Sequence, residues 1–219
     1  MKTSLRRNHV PGRKPEPILW VNQYQTDLEA IYDRWAHHVS NVLGSEKAIQ
    51  GRQILQDIAV LLLIDDLSTL GKRRLPQSIR AAGLRGVDVG DSLRTFLANQ
   101  VLQNSITLEK SLLPDVRLRL RGLSQDSNPE AVYDSLVGMK SRVGQYAGTY
   151  WKILNRAIGE RGGPVVWTLD SSSTHCRTCL EYGGRAYVSF EAMLATTNGV
   201  WPAGGTDCGG VCRCLLTSK

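Results

Sequence analysis

The chain has 219 residues, 42% of them hydrophobic and 21% charged, a balance that belongs to a globular protein and excludes a fibrous or wholly disordered one. Its longest apolar run, Ile58 to Ile64, is halted by Asp65 and Asp66, far short of the ~20 residues a bilayer span needs. The net charge of +7 allows contact with nucleic acid or an acidic protein surface and demands neither.

Residues 1–17 read as a basic flexible tail. Lys2, Arg6, Arg7, Arg13 and Lys14 stand there against Glu16 alone, a net +4. Such a tail is either solvated or docked on phosphate or an acidic partner. No apolar core or small-residue cleavage site follows it, so it is not a secretory signal. The chain is therefore expected to fold in a reducing cytoplasm, where clustered cysteines hold metal more often than disulfides.

Residues 18–163 are expected to form a helical domain. Trp20, Tyr24, Leu28, Ile31, Trp35, Val39 and Val42 recur at steps of three and four, which predicts a helix ending near Gly44. Trp20 and Trp35 are assigned to its core face. His37 and His38 have no visible ligand partner and are assigned to the surface or an interface. A second helix runs from Ser45 to Leu70, and its broad apolar band, including Ile54, Leu55, Ile58, Leu61 and Leu62, predicts a buried member of a bundle.

Residues 71–90 carry Lys72-Arg73-Arg74, Pro76 and several glycines, the composition of a loop with a short helix inside. Leu93, Phe96, Leu97, Val101, Leu102 and Ile106 predict a third helix. Leu108 to Leu123 predicts a fourth, with Pro114 at a kink or in the first turn. The alternation of Arg117, Arg119 and Arg121 with Leu118 and Leu120 leaves a short strand as the less favoured alternative. Asn128 and Pro129 suit the N-cap and first position of a long helix reaching Gly159. Gly138, Gly144 and Gly148 weaken that helix and permit close approach of another backbone.

Past Pro164 the texture changes, and residues 164–219 read as a small cysteine-rich module. Val165 to Leu169, Ala186 to Val188 and Cys212 to Thr217 predict strands, and Phe190 to Leu194 a helical turn. A unit this small usually needs a staple. All five cysteines lie here, Cys176 and Cys179 as C-R-T-C and Cys208, Cys212 and Cys214 within D-C-G-G-V-C-R-C. A C-x-x-C turn aims two thiolates at one point, and tetrahedral zinc then needs a second pair from elsewhere in the chain. The predicted ligands of a structural Zn2+ are Cys176, Cys179, Cys208 and Cys212, with Cys214 as alternate because residues 212 and 214 of a strand share a face. Reduced cysteines packed as small hydrophobes, and disulfides, are the alternatives.

Catalysis is not expected. The Ser171-Ser172-Ser173 loop before Cys176 is not the strand of a thioredoxin-like redox motif. No His-x-Glu accompanies the cysteines, as the zinc deaminases require, and no phosphate-binding loop, dinucleotide fingerprint or nucleophile elbow occurs.

Trp167-Thr168 ahead of Cys176 and Cys179, then Gly184 and Tyr187, then Cys212-Arg213-Cys214, form a pattern that resembles the C-terminal module of phage minor head proteins. These are the head-morphogenesis family named for the F protein of phage Mu. The departure is Cys208, where many members carry His before C-R-C, with one extra residue of spacing. The resemblance implies a structural virion protein bound to the portal protein and other capsid proteins inside the head. It would assist head assembly and DNA packaging or ejection, in contact with packaged DNA, with no membrane and no small-molecule substrate. The competing expectation is a cytoplasmic zinc-stabilised nucleic-acid-binding protein. Both readings share one fold class: mainly α, a helical N-terminal body with a long helix leading into a small zinc-stapled α+β module.

Overall fold

The computed structural model describes residues 16–44, 52–84, 89–123, 128–171, 173–208 and 213–218. The basic tail cations Lys2, Arg6, Arg7, Arg13 and Lys14, the expected start of the second helix at Ser45, and Cys212 lie outside the described residues. The fold is mainly helical, with a small antiparallel sheet and a cysteine cluster near the C-terminal end.

Helix α1 (Glu16–Leu43) buries the face its periodicity marks: Tyr24, Leu28, Tyr32, Trp35 and Val39. The Trp35 indole donates to the carbonyl of Ala59 at 2.6 Å, which satisfies its only donor. Trp20 departs from the expectation and stays 37% exposed. His37 is exposed and stacks on Tyr133 at 4.1 Å.

Helix α2 (Arg52–Arg74) runs through Gly71, where a terminus was expected. A Cβ at that position would lie 2.9 Å from the Asn104 amide nitrogen. This glycine therefore serves close helix packing. The helix is also not buried all round. Val60, Leu63, Leu67 and Leu70 enter the core, while Ile54, Ile58, Leu61 and Leu62 face outward.

A short α3 (Gln77–Ala81) follows, then α4 (Asp91–Thr107). A π-helical turn, Leu108–Leu112, joins α4 to α5 (Leu113–Arg121). Pro114 sits in the first turn of α5, just after this turn. The wider π turn spaces the ladder where a proline would remove a hydrogen bond and strike the preceding turn. The strand alternative for this segment does not occur.

Asn128 caps α6 (Pro129–Val137) as expected, its Oδ1 accepting from Ala131 N at 2.8 Å. The single helix expected over 129–159 is divided into α6, α7 (Lys140–Gln145) and α8 (Gly148–Glu160). Bonds of the i to i+3 kind, Met139 N to Leu136 O and Ala147 N to Gly144 O, tighten the two breaks. At Gly144 side chains come close where a backbone was expected, since a Cβ there would overlap the Glu29 carboxylate on α1.

The last region holds β1 (Val165–Thr168), α9 (Arg177–Tyr182), β2 (Ala186–Tyr187), α10 (Phe190–Thr196) and β3 (Leu215–Ser218). The strands form an antiparallel sheet of order β2-β1-β3, with Val165 opposite both Tyr187 and Ser218. One buried cluster runs from Tyr24 and Leu63 through Trp151 and Ile158 to Trp167, Phe190 and Leu216.

Candidate metal centre

The first arm of the centre is the start of α9. Cys176 occupies its N-cap in extended conformation and Cys179 lies in its first turn, so the three-residue step puts both thiols on one side. Two glycines close the element. A Cβ on Gly183 would lie 2.5 Å from the Leu169 side chain and 2.6 Å from the Cys179 carbonyl. Gly184 adopts φ +80°, which only glycine does readily, and its N–H donates to Trp167 O at 2.7 Å. The C-R-T-C-L-E-Y-G-G stretch is thus bound to β1 at its far end.

The second arm arrives after a tight turn in which Trp201 and Gly204 exchange both backbone bonds, at 2.9 and 2.8 Å. Asp207 then laces the two arms together. Its Oδ2 accepts from Thr178 Oγ1 at 2.6 Å and from Thr178 N at 3.2 Å. Those bonds, the side-chain one foremost, hold its carboxyl below the ordinary 3.8. The next residue is Cys208.

The result is a group of three thiols: the Sγ atoms of Cys176, Cys179 and Cys208 all lie within 4.8 Å of one another. Cys179 is buried and the other two are half-buried. Tetrahedral zinc with Zn–S near 2.3 Å places its sulfurs about 3.8 Å apart, so the cluster needs little contraction to hold an ion. The three cysteines therefore could bind a metal.

Of the other predicted ligands, Cys212 lies outside the described residues. Cys214 is buried at 1% exposure, outside the group of three, with its Sγ 3.4 Å from His175 Nδ1. The expectation that it would share a strand face with residue 212 assumed an extended chain. Instead Arg213 takes φ +53° and β3 begins only at Leu215. Alternation every two residues does not hold through a left-handed residue.

Asn155, assigned no role from its place in the sequence, and Arg213 of the C-R-C ending join this centre to the helical body. Asn155 of α8, fully buried, donates from Nδ2 to the carbonyls of Pro202 and Cys214, both at 3.1 Å, and accepts from Leu216 N at 2.7 Å. Arg213 reaches α1, donating to Gln25 Oε1 at 3.1 Å. A polar residue amid the apolar positions of α8 was the available signal for Asn155, since a buried amide must find partners. Compared with protein-family models, with curated proteins and with solved structures, the chain matches none.

Proposed function

We propose that the chain is a structural minor head protein of a tailed phage. It binds the portal vertex inside the capsid and assists head assembly and DNA packaging or ejection, by binding and without chemical turnover. The observation that carries this reading is the three-thiol group at the end of a helical body. Its first arm is the C-x-x-C that carries the family resemblance, and its second is Cys208, which stands where many members of that family carry His before C-R-C.

The ion is zinc, because an all-sulfur donor set selects zinc over hard cations such as magnesium or calcium. Cys176, Cys179 and Cys208 hold it, with Cys212 as the fourth ligand indicated by spacing. Bound there, zinc supplies a crosslink and no reaction. Thr178 and Asp207 position the two arms, and Asn155 fixes the region on α8, which leaves a rigid knob suited to docking on a protein ring.

The test is co-purification with portal-containing procapsids, alongside metal analysis of the isolated protein. Zinc at one ion per chain and presence in particles are expected. A protein absent from heads and virions sinks the assembly reading. The net charge of +7 supports a second reading as a nucleic-acid-binding protein. For that reading, affinity for DNA must fall steeply between about 50 and about 200 mM salt, and a flat response refutes it.

A further inference from the structure

A cleft between α4 and the start of α8 has a composition that helix packing does not explain. Gln100, Gln103, Asn104 and Thr107 share one face of α4 and line it, whereas a face turned toward another helix is ordinarily apolar. Thr149 and Lys152 stand on the opposite wall, with Ala203 and Gly205 of the Trp201–Gly204 turn bordering them, around a cavity of about 360 Å³. Thr149 Oγ1 donates to Asn104 Oδ1 at 3.3 Å, which ties the two walls together. No acidic side chain lines the cleft.

Lys152 is the group that calls for a ligand. It is half-buried, its Nζ 6.0 Å from the centre of the Phe96 ring, and among the described residues it has no hydrogen bond or ion pair. Arg156, one turn further along α8 and also half-buried, has Glu160 as its counter-charge at 2.5 Å. Burial pushes the Lys152 ammonium below the ordinary 10.5, as expected of a cation drawn from water with no anion beside it.

We propose that this cleft binds a phosphate ester, with Lys152 Nζ as the counter-charge and the amides of Gln100 and Gln103 and the hydroxyl of Thr107 as neutral donors. A phosphate group offers several acceptor oxygens to such donors at once, and no carboxylate on the walls repels it. The cavity lies at the lower end of the ~300–1,000 Å³ range of small-molecule sites, which suits a nucleoside monophosphate better than a bare ion. The same group reaches a protein either on a free nucleotide or in the backbone of a DNA strand, and the test separates the two.

Calorimetric titration of the full chain with adenosine monophosphate is that test. Saturable binding with a dissociation constant of about 1 mM or tighter is expected, and adenosine, which lacks the phosphate, should not bind at that level. Lys152→Met keeps the apolar stem, removes the charge and should weaken binding about tenfold or more. Gln103→Leu, at an exposed position, should weaken it about threefold. Lys110→Met, an exposed lysine outside the cleft, should change nothing. A short single-stranded DNA is titrated in parallel. Tighter binding than the monophosphate, with the same loss in Lys152→Met, makes a strand the source of the phosphate; DNA that binds no better leaves the free nucleotide, and either result upholds the site. Three results overturn it: neither ligand saturating the protein by about 10 mM in nucleotide, adenosine binding as well as its monophosphate, or Lys152→Met and Lys110→Met losing affinity equally. Should Lys152→Met fail to fold by far-UV dichroism, Gln103→Leu decides, and undiminished affinity there overturns the inference.

Discussion

The helical body and the C-terminal sheet region solve the problem of stability by different means. In the body, α1 and α8 bury long stripes of large side chains, Tyr24, Leu28 and Tyr32 on one and Tyr150, Trp151, Ile153 and Leu154 on the other. Their backbone groups are satisfied inside each helix. The sheet region has strands of two to four residues and helices of six and seven, too little to enclose a core. It borrows instead. Phe190 lies on the bare backbone of Gly159, where a Cβ would come within 2.4 Å of the ring. Arg156 of α8 sits among the rings of Phe190, Trp201 and Phe96 at 5.2, 5.7 and 5.8 Å. A region without its own core stays ordered when a helix supplies apolar wall, hydrogen bonds and charge, and when thiols gather at its other constraint.

Removing the proposed zinc is the most severe way to break this comparison. Chelation, or Cys179→Ser, should cost the sheet region about 4 kcal/mol, the linkage for free zinc a thousandfold above its dissociation constant. The fluorescence of Trp167 and Trp201 should change while far-UV dichroism keeps the signal of α1 to α7. Simultaneous loss of both signals would show that the two regions unfold as one. Asn155→Ala should come next, at about 3 kcal/mol, because it leaves two carbonyls and one N–H buried without a partner. Urea unfolding measures it, and a cost below about 1 kcal/mol would mean water replaces the amide.

Arg156→Ala should cost about 1 to 2 kcal/mol through the lost ring contacts and the bond to Glu160 at 2.5 Å. Its effect should appear in the sheet region, and an effect confined to the helices would contradict the docking role. The smallest effect belongs to the body. Lys140 Nζ and Tyr133 Oη reach Asp33 at 3.1 and 3.0 Å and hold its carboxyl below the ordinary 3.8. The folded value is depressed, so this stability is present above about pH 4 and is lost as pH falls through the lower folded value. Asp33→Asn should remove less than about 1 kcal/mol at neutral pH and flatten that part of the acid limb in a pH series of melts.

Much of the body was legible because helix periodicity reports which side chains share a face. The α1 stripe, the Asn128 cap and the helical class follow from spacing and local hydrogen bonding alone. The breaks at Gly138 and Tyr146 were not legible, since a run of apolar residues at helical spacing continues through both. Gly71 misled for a related reason: a glycine ends a helix or admits a neighbour, and only Asn104, distant in sequence, decides which. At the candidate metal centre, C-R-T-C and Cys208 were readable as paired arms. The role of Asp207 was not, because its partner Thr178 lies 29 residues away.

By itself the sequence determined the helical class and the concentration of thiols at one end. These are properties of neighbours along the chain. Tertiary structure alone decided that Cys214 meets His175 and is not one of the group of three, that Asn155 anchors β3, and that half of the apolar band of α2 points outward. Periodicity marks which faces of a helix are apolar, but what covers each face depends on elements far off in the chain.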